Sequence, residues 1–101
     1  MPVSVARLHS VDEDAVELEV DGTLDLHTFA AREVKKLIPD YLDVCLQKRI
    51  FDVRIVHGKG TGRLRELVHK VLANTPLVES FRLAPPEAGG WGATLVRLRR
   101  V

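Results

Sequence analysis

Two of the chain's four histidines stand where proton chemistry is easy to imagine. His27 ends the segment Leu24-Asp25-Leu26-His27, and His57 opens the run His57-Gly58-Lys59-Gly60-Thr61-Gly62. An imidazole titrates near neutral pH, so a pair of them can act as general acid and base. Either could equally cap a helix or bond a carbonyl. Asp25 lies two residues before His27 and therefore on the same face of an extended segment. It could orient the imidazole, bind a metal, serve as a base, or satisfy neighbouring backbone N–H groups. His9 and His69 have no partner by spacing, and both are expected at the surface.

The run at 58–62 has three glycines in five residues. Glycine lets a backbone approach an anion closely, and a loop that opens a helix aims N–H groups and the helix dipole at it. Gly58, Lys59, Gly60, Thr61, Gly62 and Arg63 form a candidate phosphate cradle, with Arg65 as a further nucleic-acid contact. The spacing is neither a Walker A loop nor a dinucleotide fingerprint. The alternative is a tight strand-to-helix turn with glycines for geometry only. A third segment, Pro85 to Gly92, carries Gly89, Gly90 and Trp91. An aromatic on a glycine loop can stack a base, or it can cover the end of the core, which is the preferred reading here.

These residues need elements to position them. Val3 to Leu8 and the alternation Val16, Leu18, Val20 read as a hairpin around a turn at residues 11–14. Thr23 to His27 is a brief strand, and Thr28 can cap the helix that follows. Val34, Leu37, Ile38, Tyr41, Leu42 and Cys45 recur at helical spacing, with Pro39 expected to kink the helix before it ends near Lys48 or Arg49. Phe51 to Val56 is a strand. Arg63 to Asn74 is a second helix, with Leu64, Leu67, Val68, Val71 and Leu72 inward and Pro76 beyond its end. Val78 to Leu83 and Ala93 to Arg99 are strands, the last turning back antiparallel with Leu95 and either Val96 or Leu98 inward.

The reading is α/β: a two-layer βαβαββ sandwich, residues 22–101, with an N-terminal β-hairpin extension, residues 1–21. In open α/β sheets, ligands gather beyond the carboxyl ends of parallel strands. If the three like-directed strands are adjacent, the His27, His57 and Trp91 segments share one edge.

Composition narrows the partner. The chain has 101 residues and a net charge of +1, which hides a segregation. Residues 1–25 hold seven acids and one base, net −6; the remainder holds seven acids and fourteen bases, net +7. A surplus of base on the body suits an anionic polymer, although Lys35, Lys36, Lys48, Arg49, Arg82, Arg97, Arg99 and Arg100 read mainly as solvated faces. The hydrophobic fraction is 46% and the charged fraction 29%, as in a folded soluble domain. No apolar run is long enough to cross a bilayer, and no signal peptide is expected. The lone Cys45 and the lack of zinc spacing imply a reducing cytoplasm.

Leu24-Asp25-Leu26-His27, His57-Gly58-Lys59-Gly60-Thr61-Gly62 and Gly89-Gly90-Trp91-Gly92-Ala93-Thr94-Leu95-Val96, in this order, resemble the Smr (small MutS-related) domain over residues 22–99, in its stand-alone bacterial form. The resemblance implies a fold like the C-terminal domain of a bacterial translation initiation factor. It also implies an endonuclease nicking or cleaving DNA or RNA, with Asp25, His27 and His57 catalytic. A divalent ion, Mg or Mn, is the candidate cofactor, but the sequence offers only Asp25, with Glu87 as a second carboxylate, which is thin for a two-metal site. The family's first motif usually continues with glycine; here Thr28 either narrows the site or caps the helix. The competing functions are a nucleic-acid-binding module without catalysis and a protein-interaction domain docking through the acidic hairpin. No membrane partner is expected and no oligomeric state is implied.

Overall fold

A computed structural model describes Val3–Ser4, Glu17–Leu18 and residues 20–100. Strands β1 (Val3–Ser4) and β2 (Glu17–Leu18) pair antiparallel, Val3 opposite Leu18, in a two-stranded sheet of their own. The turn expected at residues 11–14, Val16 and His9 lie outside the described residues.

The body follows the expected order: β3 (Thr23–Asp25), α1 (Ala31–Gln47), β4 (Asp52–Val56), α2 (Arg63–Ala73), β5 (Val78–Leu83) and β6 (Ala93–Leu98). Four strands form one sheet in the order β3-β4-β6-β5. β3 runs parallel to β4, while β6 is antiparallel to both β4 and β5. β5 therefore points the same way as β3 and β4 but is not their neighbour, because β6 inserts between β4 and β5. The reason lies in the side chains. β6 buries Ala93, Thr94, Val96 and Leu98, as a central strand must, whereas β5 exposes Glu79, Ser80 and Arg82, which suits a charged edge that resists further pairing.

Both helices cover one face. Val34, Leu37, Ile38, Leu42 and Cys45 of α1 and Val68 and Leu72 of α2 pack with Leu24, Val53, Ile55, Val96 and Leu98 from the sheet. Leu64, Leu67 and Val71 are partly buried against the same core. The last strand faces inward through Thr94, Val96 and Leu98; Leu95, expected inside, is half-buried on the uncovered face. Either parity of this strand carries apolar residues, so alternation alone could not choose between them.

Pro39 lies inside α1 without ending it. Proline has no N–H to donate to the carbonyl four residues back, that of Lys35, which is an exposed residue. Thr28 does not cap the helix. The N-cap is Ala30, whose N–H donates to the Glu33 carboxylate at 2.7 Å. A turn closed by Phe29 N–H on Leu26 O (2.9 Å) delays the helix past Thr28, which is exposed. Buried Tyr41 ties α1 to the start of β3: its hydroxyl donates to Thr23 O (3.1 Å) and accepts from Gly22 N–H (3.3 Å).

Candidate nucleic-acid interface

The carboxyl ends of β3 and β4 are side by side, with Asp25 opposite Val56 and Leu26 N–H bonded to Val56 O at 2.9 Å. Asp25 Oδ1 accepts the backbone N–H of His27 at 3.0 Å and meets His27 Nδ1 at 2.7 Å. Those two hydrogen bonds, backbone first, hold the Asp25 carboxyl below its ordinary value, so it is ionised at neutral pH. A carboxylate only accepts, so Nδ1 carries the hydrogen and Nε2 is the nitrogen left for proton exchange. Side-chain exposures of 76% for His27 and 52% for Asp25 put that nitrogen within reach of a ligand.

His57 occupies the opposite environment. It is 7% exposed, and both ring nitrogens are engaged: Nδ1 with Gly58 O at 3.0 Å and Nε2 with Thr94 Oγ1 at 2.8 Å. Burial pushes its pKa down, against the opposing pull of the Gly58 carbonyl and with a smaller contribution from the Arg65 guanidinium in the same direction as burial. His69 is no unpartnered surface residue. Its Nε2 lies 2.8 Å from the same Thr94 hydroxyl, and its ring packs edge-on to His57 and tilted against Phe81. The sequence signal for His69 was weak, since one imidazole between apolar helix positions carries no spacing rule. Thr94 left no signal either, since both parities of β6 carry apolar residues and alternation does not say which faces inward.

The glycine run is a loop from β4 into α2. Gly58, Gly60 and Gly62 all have positive φ (81°, 26° and 89°). A Cβ on Gly58 or Gly60 would meet nothing, so there the backbone conformation, not space, requires glycine. Gly62 caps α2, and a Cβ on it would lie 2.8 Å from Arg65 Nη2, so Arg65 folds back over the start of its own helix. Thr61 Oγ1 accepts Arg63 N–H at 3.4 Å. Gly58, Lys59, Gly60, Thr61 and Arg63 are exposed.

The third segment folds into two 3-10 turns, Pro86–Ala88 and Gly90–Gly92. It reaches the glycine loop directly: Gly92 O accepts the N–H groups of His57 (3.0 Å) and Gly58 (2.8 Å). Gly92 also packs against the Lys59 stem, whose Cγ would lie 3.3 Å from an added Cβ. Arg54 braces the segment from the uncovered face of the sheet, donating from Nη1 to Ala88 O at 3.1 Å. Trp91 is 60% exposed and does not cover the core. Gly89 is exposed and Gly90 half-buried.

Among the described residues, no three His, Cys, Asp or Glu side chains converge as metal ligands. Asp25 already spends Oδ1 on His27, and Glu87 is exposed on the Pro86–Ala88 turn. This donor set does not fit a magnesium or manganese ion held by the protein alone. Several basic residues expected in solvent have structural partners: Lys48 donates to Val20 O (2.9 Å), Arg97 pairs with Asp52 (2.6 Å), and Arg99 donates to Pro76 O (2.9 Å). No described helix is long and apolar enough to cross a membrane.

An exposed Asp–His pair, a glycine loop opening a helix and an aromatic loop bonded to it define a small α/β domain with one convergent edge. The chain belongs to the Smr domain family, whose model matches residues 24–99. It is 40% identical over 97 residues to the endonuclease MutS2 of Thermomicrobium roseum, covering 96% of this chain and 11% of that protein. Against the endonuclease MutS2 of Halothermothrix orenii the identity is 40% over 80 residues, 79% of this chain and 10% of that protein. The chain thus spans about a tenth of the length of these relatives. The crystal structure of the Smr domain of Thermus thermophilus MutS2 superposes with a TM-score of 0.74 at 35% identity, covering 78% of this chain and 99% of that one. YdaL, a stand-alone small MutS-related protein from Escherichia coli, superposes with a TM-score of 0.71 at 28% identity, covering 77% of this chain and 64% of that one.

Proposed function

We propose that this Smr domain binds nucleic acid and cleaves its phosphodiester backbone in the cytoplasm, and that residues 22–101 form the acting domain behind an acidic extension, residues 1–21. The observation that carries the reading is the exposed Asp25–His27 pair, 2.7 Å apart, on the strand end next to the glycine loop. The relation to endonuclease MutS2 supports the same reaction class, and the +7 balance of residues 26–101 supports a polyanionic partner.

In this reading, loop N–H groups and Lys59 receive the scissile phosphate and stabilise the charge that develops on it. His27 Nε2 takes the proton of the attacking oxygen, from water or a ribose 2′-hydroxyl, and the resulting imidazolium is stabilised by ionised Asp25. Cleaving the P–O bond releases an alkoxide, which takes a proton from solvent water at this exposed edge, and the His27 imidazolium returns its proton to solvent. Trp91 offers a ring for a base to stack on. His57, with both nitrogens committed, shapes the loop instead of moving protons. No step here depends on a metal ion.

The test is incubation of end-labelled single-stranded RNA, supercoiled DNA and linear duplex with the wild type, His27→Ala and Lys59→Ala, with and without EDTA. Cleavage lost in His27→Ala while binding persists is the expected result. Cleavage undiminished in both variants would sink the enzyme reading. Binding without cleavage in the wild type would make the domain a binding module, and failure to bind at low salt would favour a protein partner.

A further inference from the structure

Behind the exposed edge, a polar chain crosses the helix-facing side of the sheet. It links His57 at the end of β4, Thr94 of β6 and His69 of α2. Thr94 is fully buried, and its Oγ1 lies 2.8 Å from His57 Nε2 and 2.8 Å from His69 Nε2. A hydroxyl has one proton, so Thr94 donates to one imidazole and accepts from the other. The direction follows from the far end. Gly58 O, 3.0 Å from His57 Nδ1, can only accept, so His57 carries its hydrogen on Nδ1. Burial disfavours charge on both rings and outweighs the Gly58 carbonyl, which favours it on His57; Arg65 of α2 adds to burial on each, and His57 adds to it on His69. On the other sides stand the uncharged Thr94 and the Phe81 ring of β5. A neutral His57 then has a bare Nε2, to which Thr94 donates, and His69 Nε2–H donates to Thr94 in turn. Every hydrogen in the chain has one place.

We propose that Thr94 and His69 are positioning residues that hold His57 as its Nδ1–H tautomer and, through it, clamp the Gly58 carbonyl and set the shape of the 58–62 loop. The consequence for ligand binding is geometric. In a trans peptide, C=O and the following N–H point in opposite directions. With Gly58 O turned to the imidazole, the Lys59 N–H is turned away from it, within the exposed stretch Gly58–Thr61. A phosphate would be repelled by the carbonyl and attracted by that N–H, so the clamp presents the favourable side. This deepens the reading of the loop as a phosphate cradle and rests on it for its purpose, but not for its chemistry.

The experiment is ring-nitrogen NMR on the intact, labelled chain near pH 7.5, with the 58–62 amide resonances followed in parallel. His57 is expected as the Nδ1–H tautomer and His69 as Nε2–H. Thr94→Val keeps the shape and removes the hydroxyl; it should mix the His57 tautomers, shift the Lys59 and Gly60 amides, and weaken binding of a single-stranded RNA oligonucleotide about tenfold. Thr94→Ser should restore all three. If Thr94→Val does not fold, His69→Phe removes the other donor and takes the same measurements. An Nε2–H tautomer of His57 in the wild type, or unmoved loop amides in the folded variant, overturns the proposal. A wild type that binds no RNA defeats the cradle reading instead, and the tautomer and amide results still decide the clamp.

Discussion

Two histidine-bearing groups share one end of this sheet and differ in almost everything else. The Asp25–His27 pair stands largely in solvent, with one ring nitrogen committed and one open. The His57–Thr94–His69 chain is buried or half-buried, and both His57 nitrogens are satisfied. Both are imidazoles at strand ends, so residue type does not separate them. What separates them is the solvent around them and the ring nitrogens left without a partner: His27 Nε2 is open, whereas both nitrogens of His57 are engaged.

The sharpest way to break that contrast is catalytic. His27→Ala should lower the cleavage rate about 10²- to 10⁴-fold, the range for losing a general acid–base group, while circular dichroism and RNA affinity stay near wild type. Equal losses from His27→Ala and a folded Thr94→Val, with the loss in binding removed, would erase the distinction. Next in size, Lys59→Ala should reduce the slope of log K against log salt by about 1, as one phosphate contact does. Trp91→Ala should weaken single-stranded RNA by about 1–3 kcal/mol if a base stacks there. Trp91 is exposed, so thermal stability should hardly move; a large drop in Tm would return it to the core.

Stability offers the reverse comparison. Thr94→Val strands one buried and one half-buried ring nitrogen and should cost about 1–3 kcal/mol in urea unfolding, whereas Asp25→Asn, at an exposed site, should stay within about 0.5 kcal/mol. The smallest effect is pH dependence. His57 and His69 both have pKa values lowered from 6.5, so the unfolded chain takes up protons first; stability is fully present above that value and is lost as pH falls below it. Asp25, lowered from 3.8, contributes stability present above 3.8 that disappears only in stronger acid. Melting curves from pH 8 to 3 should therefore decline in two windows, and Thr94→Val should alter only the upper one.

Much of the candidate edge was legible in the residues. Asp25 two positions before His27, and three glycines between a strand and a helix, are local patterns whose meaning survives in the fold. The place of Trp91 was not legible, because a tryptophan between glycines can turn either way. Nor was His69 legible, because its partner Thr94 is a neighbour only across the sheet. The helix start slipped from Thr28 to Ala30 because the Leu26–Phe29 turn and the Glu33 carboxylate satisfy the backbone more locally than a threonine cap would.

The sequence by itself determined the order of strands and helices, the family, and which short segments are candidates for chemistry, since hydrophobic period, turn residues and motif spacing are properties of neighbours along the chain. Only the tertiary structure decided that β6 lies between β4 and β5, that Thr94 faces inward between two imidazoles, and that His27 meets water while His57 does not. Burial is the reason. It depends on what distant parts of the chain cover, and the same imidazole is left open or fully hydrogen-bonded according to how many of its nitrogens the surrounding protein has already claimed.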